Sequence, residues 1–65
     1  MVKVIEVIGT SDQGFTEATQ NAVNEAAKTV KNIQSIYIMH MNANVENNQI
    51  KSYAVNAKIS FEIEK

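Results

Sequence analysis

The sequence predicts an α+β chain, a single β-α-β-β domain over residues 1–65 in which a three-stranded antiparallel or mixed sheet of order 1-3-2 wraps one helix. Three observations carry this. A β-branched run opens the chain and stops at turn-forming residues, a stripe of apolar residues at helical spacing follows, and the remainder alternates apolar with polar residues across a break at Asn47-Asn48. A crossover through a helix makes the first two strands parallel, and the hairpin lets the third fit between them.

The first strand is expected over Val2 to Ile8, closed by Gly9-Thr10-Ser11-Asp12, with Glu6 as its odd polar member. From Gly14 the period becomes helical: Phe15, Ala18, Ala22, Val23, Ala26 and Val30 form one stripe. Gly14 is the expected N-cap, with Glu17 where a capping-box carboxylate reaches back, and Lys28 and Lys31 are expected in a last turn that closes at Asn32. The stripe is mostly alanine and valine, so the helix can approach a sheet closely while adding little bulk, and Phe15 is its one large anchor.

A hairpin is expected next, Ser35 to Val45 returning through Glu46-Asn47-Asn48-Gln49 into Ile50 to Ile63, because asparagine tolerates the positive φ of tight hairpin turns. In the last strand Tyr53, Val55, Ala57, Ile59, Phe61 and Ile63 share the face that should meet the helix. The other sheet face is expected to carry Ile36, Ile38 and Ala54 among polar residues. A helix of about 17 residues cannot cover strands of this length, so that face and the open sheet edges are expected to meet other copies of the chain.

Size points the same way. A domain of 65 residues buries only about 60% of its unfolded surface. There is no cysteine and a single histidine, His40, which leaves association as the stabilising device. The lack of cysteine and of an apolar signal-like or membrane-length run makes cytoplasm the expected compartment. A net charge of −1, with six scattered lysines and no arginine, provides no basic stripe for nucleic acid, and no membrane contact is expected.

Several segments resemble the dodecin family: Val2-Lys3-Val4-Ile5-Glu6-Val7-Ile8-Gly9-Thr10-Ser11, Phe15-Thr16-Glu17-Ala18 opening the helix, and Lys28-Thr29-Val30-Lys31-Asn32-Ile33 closing it. The resemblance continues through Val45-Glu46-Asn47-Asn48-Gln49-Ile50, near the family's Val-Glu-Asn-Gly-Lys-Ile turn, and through Tyr53 to Phe61. It implies a hollow homododecamer in which bent sheets wrap helices and flavins (riboflavin, FMN) are stored in pairs at two-fold interfaces. Flavin-binding members stack a tryptophan of the second strand on the ring and hold its edge with a glutamine after the third-strand tyrosine. By that resemblance the tryptophan position falls on Ser35 and the glutamine position on Ala54, so this sequence has neither group.

Tyr37 projects from the same strand face as Ser35 and has two readings, a ring replacing the missing platform or an interface residue with its hydroxyl in water. Tyr53 belongs to the apolar face and reads as structural; Met39 and Met41 read as core or interface fillers. His40 and Glu6 are the metal candidates. A lone histidine needs carboxylates or symmetry mates, and Glu6 reads either as a solvated edge carboxylate or as a channel lining repeated about an axis.

No nucleophile stands beside a histidine at suggestive spacing and no phosphate loop is present, so an enzyme is not expected. Two functions remain open: a dodecin-like flavin store, also able to take another flat aromatic ligand, or a similar shell that binds no flavin and holds cations or another small ligand.

Overall fold

Strand β1 (Val2–Ser11), helix α1 (Phe15–Ala27), strand β2 (Ile33–Glu46) and strand β3 (Gln49–Glu62) follow in that order, and the sheet runs β1-β3-β2. The computed structural model describes residues 1–63; Glu64 and Lys65, the end of the domain as read from sequence, lie outside the described residues. Both outer strands pair antiparallel with β3 and therefore run parallel to each other, the expected topology.

The hairpin turn follows from two side chains. Asn47 and Asn48 take φ of 51° and 63°, the double left-handed conformation of a two-residue type I′ loop, so β2 and β3 close tightly, each 14 residues long. At about 3.3 Å per residue each strand is roughly 46 Å long. Helix α1 is shorter than its apolar stripe suggested: it ends at Ala27, covering 13 residues and about 20 Å. Lys28 is its C-cap and pairs with Glu25 at 2.9 Å, while Val30 and Lys31 lie beyond it. The β-branched pair Thr29-Val30 has weak helix propensity, and left-handed Asn32 (φ 60°) turns the chain into β2. Gly14 is the N-cap, but no side-chain capping bond forms, so Glu17 acts only as an acidic residue in the first turn.

The core lies between α1 and the sheet. Ala18 is buried with Val55 and Ala57, with Val7, Phe15, Ile36, Ile38 and Tyr53 packed around them, and Ala22, Ala26 and Ile59 are buried as well. The alanine stripe serves close approach. A Cβ on Gly9 would overlap Ala18 O and stand 2.7 Å from Ala22 Cβ, so the β1 backbone rests directly on the helix. Phe15 meets Tyr53 edge-on, ring centroids 4.9 Å apart, which makes Tyr53 part of the core's rim.

One expectation about the sheet is corrected. Ile36 pairs with Ile59 and Ile38 with Ala57, so both face the helix, not the opposite side. The reason is the register shift between Ile38 and His40, where the extra residue Met39 changes which side chains of β2 face inward on either side of it.

Beyond the helix the hairpin continues as a bare two-stranded arm. The chain extends 51 Å along its longest axis and has a radius of gyration of 13.2 Å, against about 11 Å for a compact domain of this length. It exposes 4855 Å², where a folded monomer of this mass exposes roughly 4,100 Å².

Candidate ligand face

The sheet face turned away from α1 is organised in rows set by strand register. Val4, Ser60 and Ser35 form one row; Glu6, Lys58 and Tyr37 the next; then Ile8, Asn56 and His40; then Thr10, Ala54 and Asn42. Same-face rows are about 6.6 Å apart, twice the rise per residue. The first three sequence-predicted ligand positions therefore share one face. They do not converge. Ser35 and Ala54 belong to rows six residues apart along β3, roughly 20 Å, so one chain cannot place both on the same small molecule.

Each position also has its own chemistry. Ser35 Oγ stands 2.6 Å from Ser60 Oγ, so its hydroxyl is tied to its cross-strand neighbour. Ala54 contributes only a methyl group. Tyr37 is different: 70% exposed, it presents its ring from an edge strand with no aromatic partner among the described residues.

Between the rows of Tyr37 and Ala54 lies a cavity of 580 Å³. It is lined by Glu6, Val7 and Ile8 from β1, Met39 and His40 from β2, and Asn56 and Ala57 from β3. The strands come together there because Met39 is the extra residue of the bulge between Ile38 and His40, and a bulge bends its strand. The two metal candidates, Glu6 and His40, thus line one cavity from opposite edge strands. Within one chain they are insufficient: among the described residues no group of three or more His, Asp or Glu side chains is placed to hold a metal ion. What the cavity provides is a carboxylate, an imidazole and an amide around apolar Ile8 and Met39, a mixture suited to a small polar or aromatic molecule.

Sequence reasoning missed Met39 as the origin of the bend, Asn56 as a cavity wall and Ser60 as the partner of Ser35. The bulge had a signal. Apolar residues of β2 stand at even positions, Ile36 and Ile38, and then at odd ones, Met41, Ala43 and Val45, a change of parity that an extra residue must produce.

Comparison with known proteins agrees with this architecture. The model of the Dodecin family matches residues 1–64. A dodecin from Thermus thermophilus is 27% identical over 62 residues, covering 95% of this chain and 90% of that protein. Among solved structures, the dodecin from Streptomyces davaonensis superposes with a TM-score of 0.93 at 25% identity, covering 100% of this chain and 96% of the other. The calcium dodecin of Mycobacterium tuberculosis, a calcium-chelating antigen with its own calcium site, gives 0.82 at 26% identity, covering 98% and 91%. Among the described residues no helix is long and apolar enough to cross a membrane. With the family model spanning nearly the whole sequence and the same β-α-β-β chain path, the protein belongs to the dodecin family.

Proposed function

We propose that this chain is a binding protein, not an enzyme, which assembles as a homododecamer and holds a flat aromatic ligand of the flavin class, riboflavin or FMN, where copies meet. The observation that carries the reading is Tyr37: a tyrosine 70% exposed on the row beside the 580 Å³ cavity has the position and chemistry of a stacking platform. A second copy is needed because one sheet face covers only one side of a ring and because Tyr37 and Ala54 flank the cavity without meeting across it. Stacking contributes on the order of 1 kcal/mol per aromatic pair beyond the area it buries, so Tyr37→Ala should weaken binding about tenfold or more and leave stability unchanged.

Flavin fluorescence is the test. Riboflavin or FMN at micromolar concentration should be quenched by the parent protein and much less by Tyr37→Ala. Undiminished fluorescence with the parent rules the flavin reading out.

A second reading is favoured by one observation, Glu6 and His40 on the same cavity. In it the assembly binds no flavin, and symmetry-related copies bring their carboxylates and imidazoles to a shared cation. Calorimetric titration with calcium or zinc separates the two. Heat that disappears in both Glu6→Gln and His40→Ala supports the cation; heat unaffected by either variant removes it.

A further inference from the structure

We infer that Asn56 selects the ligand, its carboxamide pairing with the edge of a flat heteroaromatic ring where a ring N–H stands beside a carbonyl, that is, a lactam or imide edge. The inference rests on the ligand reading proposed above and names the chemistry that the cavity recognises. Asn56 lies on the central strand β3, on the face away from the helix, with Ile8 of β1 and His40 of β2 directly opposite it. Tyr37 pairs with Lys58, two residues along β3, so Tyr37 and Asn56 are diagonal neighbours. Such neighbours are about 7–8 Å apart, a distance that aromatic side chains span. Side chains stand nearly upright on a sheet. A ring stacked on the cavity side of Tyr37 therefore stands on its edge above β3, about 4.8 Å from β2, and that edge meets Asn56.

The carboxamide has nothing else to bind. Four residues to either side on β3 the polar groups are paired across strands: Ser60 Oγ stands 2.6 Å from Ser35 Oγ, and Ser52 Oγ accepts from Asn44 at 3.0 Å. Asn56 makes no side-chain hydrogen bond to any described residue. The type of side chain decides the class of ligand. An ionised carboxylate such as Glu6 only accepts, an ammonium such as Lys58 only donates, and a neutral imidazole such as His40 places its donor and acceptor on different sides of its ring. A carboxamide holds a donor and an acceptor side by side in one plane, the complement of an N–H beside a C=O, and so forms two bonds at once. Ile8 and Met39 line the same cavity and displace part of the water that would compete for those bonds.

The test compares lumiflavin with 3-methyllumiflavin, the same ring system with a methyl group in place of the imide hydrogen. By fluorescence titration the parent should bind lumiflavin roughly tenfold or more tightly than the methylated ring, the scale of one or two lost hydrogen bonds. Asn56 is exposed, so Asn56→Ala should keep the parent's circular dichroism. It should bind lumiflavin about tenfold more weakly and no longer distinguish the two rings. Equal affinity of the parent for both rings, or a preference that survives in Asn56→Ala, overturns the inference and leaves the flavin reading standing. A parent that quenches neither ring overturns both.

Discussion

Replacing Gly9 with alanine adds one methyl group at the point where β1 rests on α1. The new Cβ would overlap Ala18 O and stand 2.7 Å from both Ala22 N and Ala22 Cβ. Two of these three atoms are backbone, so no rotamer change relieves the clash, and the helix must shift away from the strand. That shift loosens Ala18, Ala22 and Ala26, each no more than 2% exposed and half of the buried apolar residues. Overpacking a tight core costs about 1–3 kcal/mol, and a clash with backbone belongs at the upper end. A 65-residue chain has roughly 3–10 kcal/mol in total. With a urea slope of about 1 kcal/mol per molar, the unfolding midpoint should fall by ~2–3 M, measured at equal chain concentration so that association does not bias the comparison. Gly14→Ala is the control. Its Cβ would meet only the Glu17 side chain, Oε1 at 2.7 Å and Cδ at 3.8 Å, which is mobile, and its φ of 169° suits any residue. It should cost only the ~1 kcal/mol of a poorer N-cap. A Gly9→Ala midpoint within about 0.5 M of the parent would refute the close packing of strand on helix.

Two further outcomes follow from local geometry. Asn48 holds a φ of 63° at the second position of the hairpin loop; Asn48→Gly should raise the unfolding free energy by about 0.5 kcal/mol in urea titration, and Asn48→Val should lower it by at least about 1 kcal/mol. The Glu25 hydrogen bond, followed by its charge, raises the Lys28 ammonium above its ordinary value of 10.5. A raised basic group contributes stability in full below its unfolded value and loses it as pH rises through the folded one. The melting difference between Glu25→Gln and the parent should therefore be small and constant between about pH 6 and 9, and shrink further only above about pH 10.5.

The fold was legible because each element carries a separate physical signal. Asparagine at both turn positions, the alanine stripe and the unbroken alternation of Tyr53 to Phe61 each admit one local structure, and together they leave one topology. The ends of the elements are less legible: β1 runs on through Gly9 and Thr10 to Ser11, and no capping-box bond forms at Glu17. The apolar spacing, continued by Val30, predicts a helix that closes at Asn32, yet spacing does not register the weak propensity of Thr29-Val30 and the helix ends at Ala27. Strict alternation through β2, counted back from Met41, puts Ile36 and Ile38 on the outer face, whereas the extra residue at Met39 changes the apolar parity and turns both toward the helix. The candidate site was less legible still: its rows join residues of three strands through register, and register shifted by bulges cannot be counted from one strand alone. Glu6 and His40, 34 positions apart, became neighbours on one cavity only once β3 lay between their strands.

The mismatch between a helix of about 20 Å and strands of about 46 Å links the two proposed properties. A sheet covered along less than half its length leaves apolar surface that the assembly proposed above would cover, and the outer face of β1 adjoins the cavity through Ile8. A ligand held in that cavity would then touch, or sit beside, the contact between copies. Anything that binds the assembled form in preference to the separate chain stabilises assembly by mass action, by about 2.7 kcal/mol when free ligand is a hundredfold above its dissociation constant. Ligand retention and oligomer mass are in this view one equilibrium, so dilution should release ligand and dissociate copies over the same concentration range. Release from an undiminished oligomer would separate them and place the binding site away from the contact.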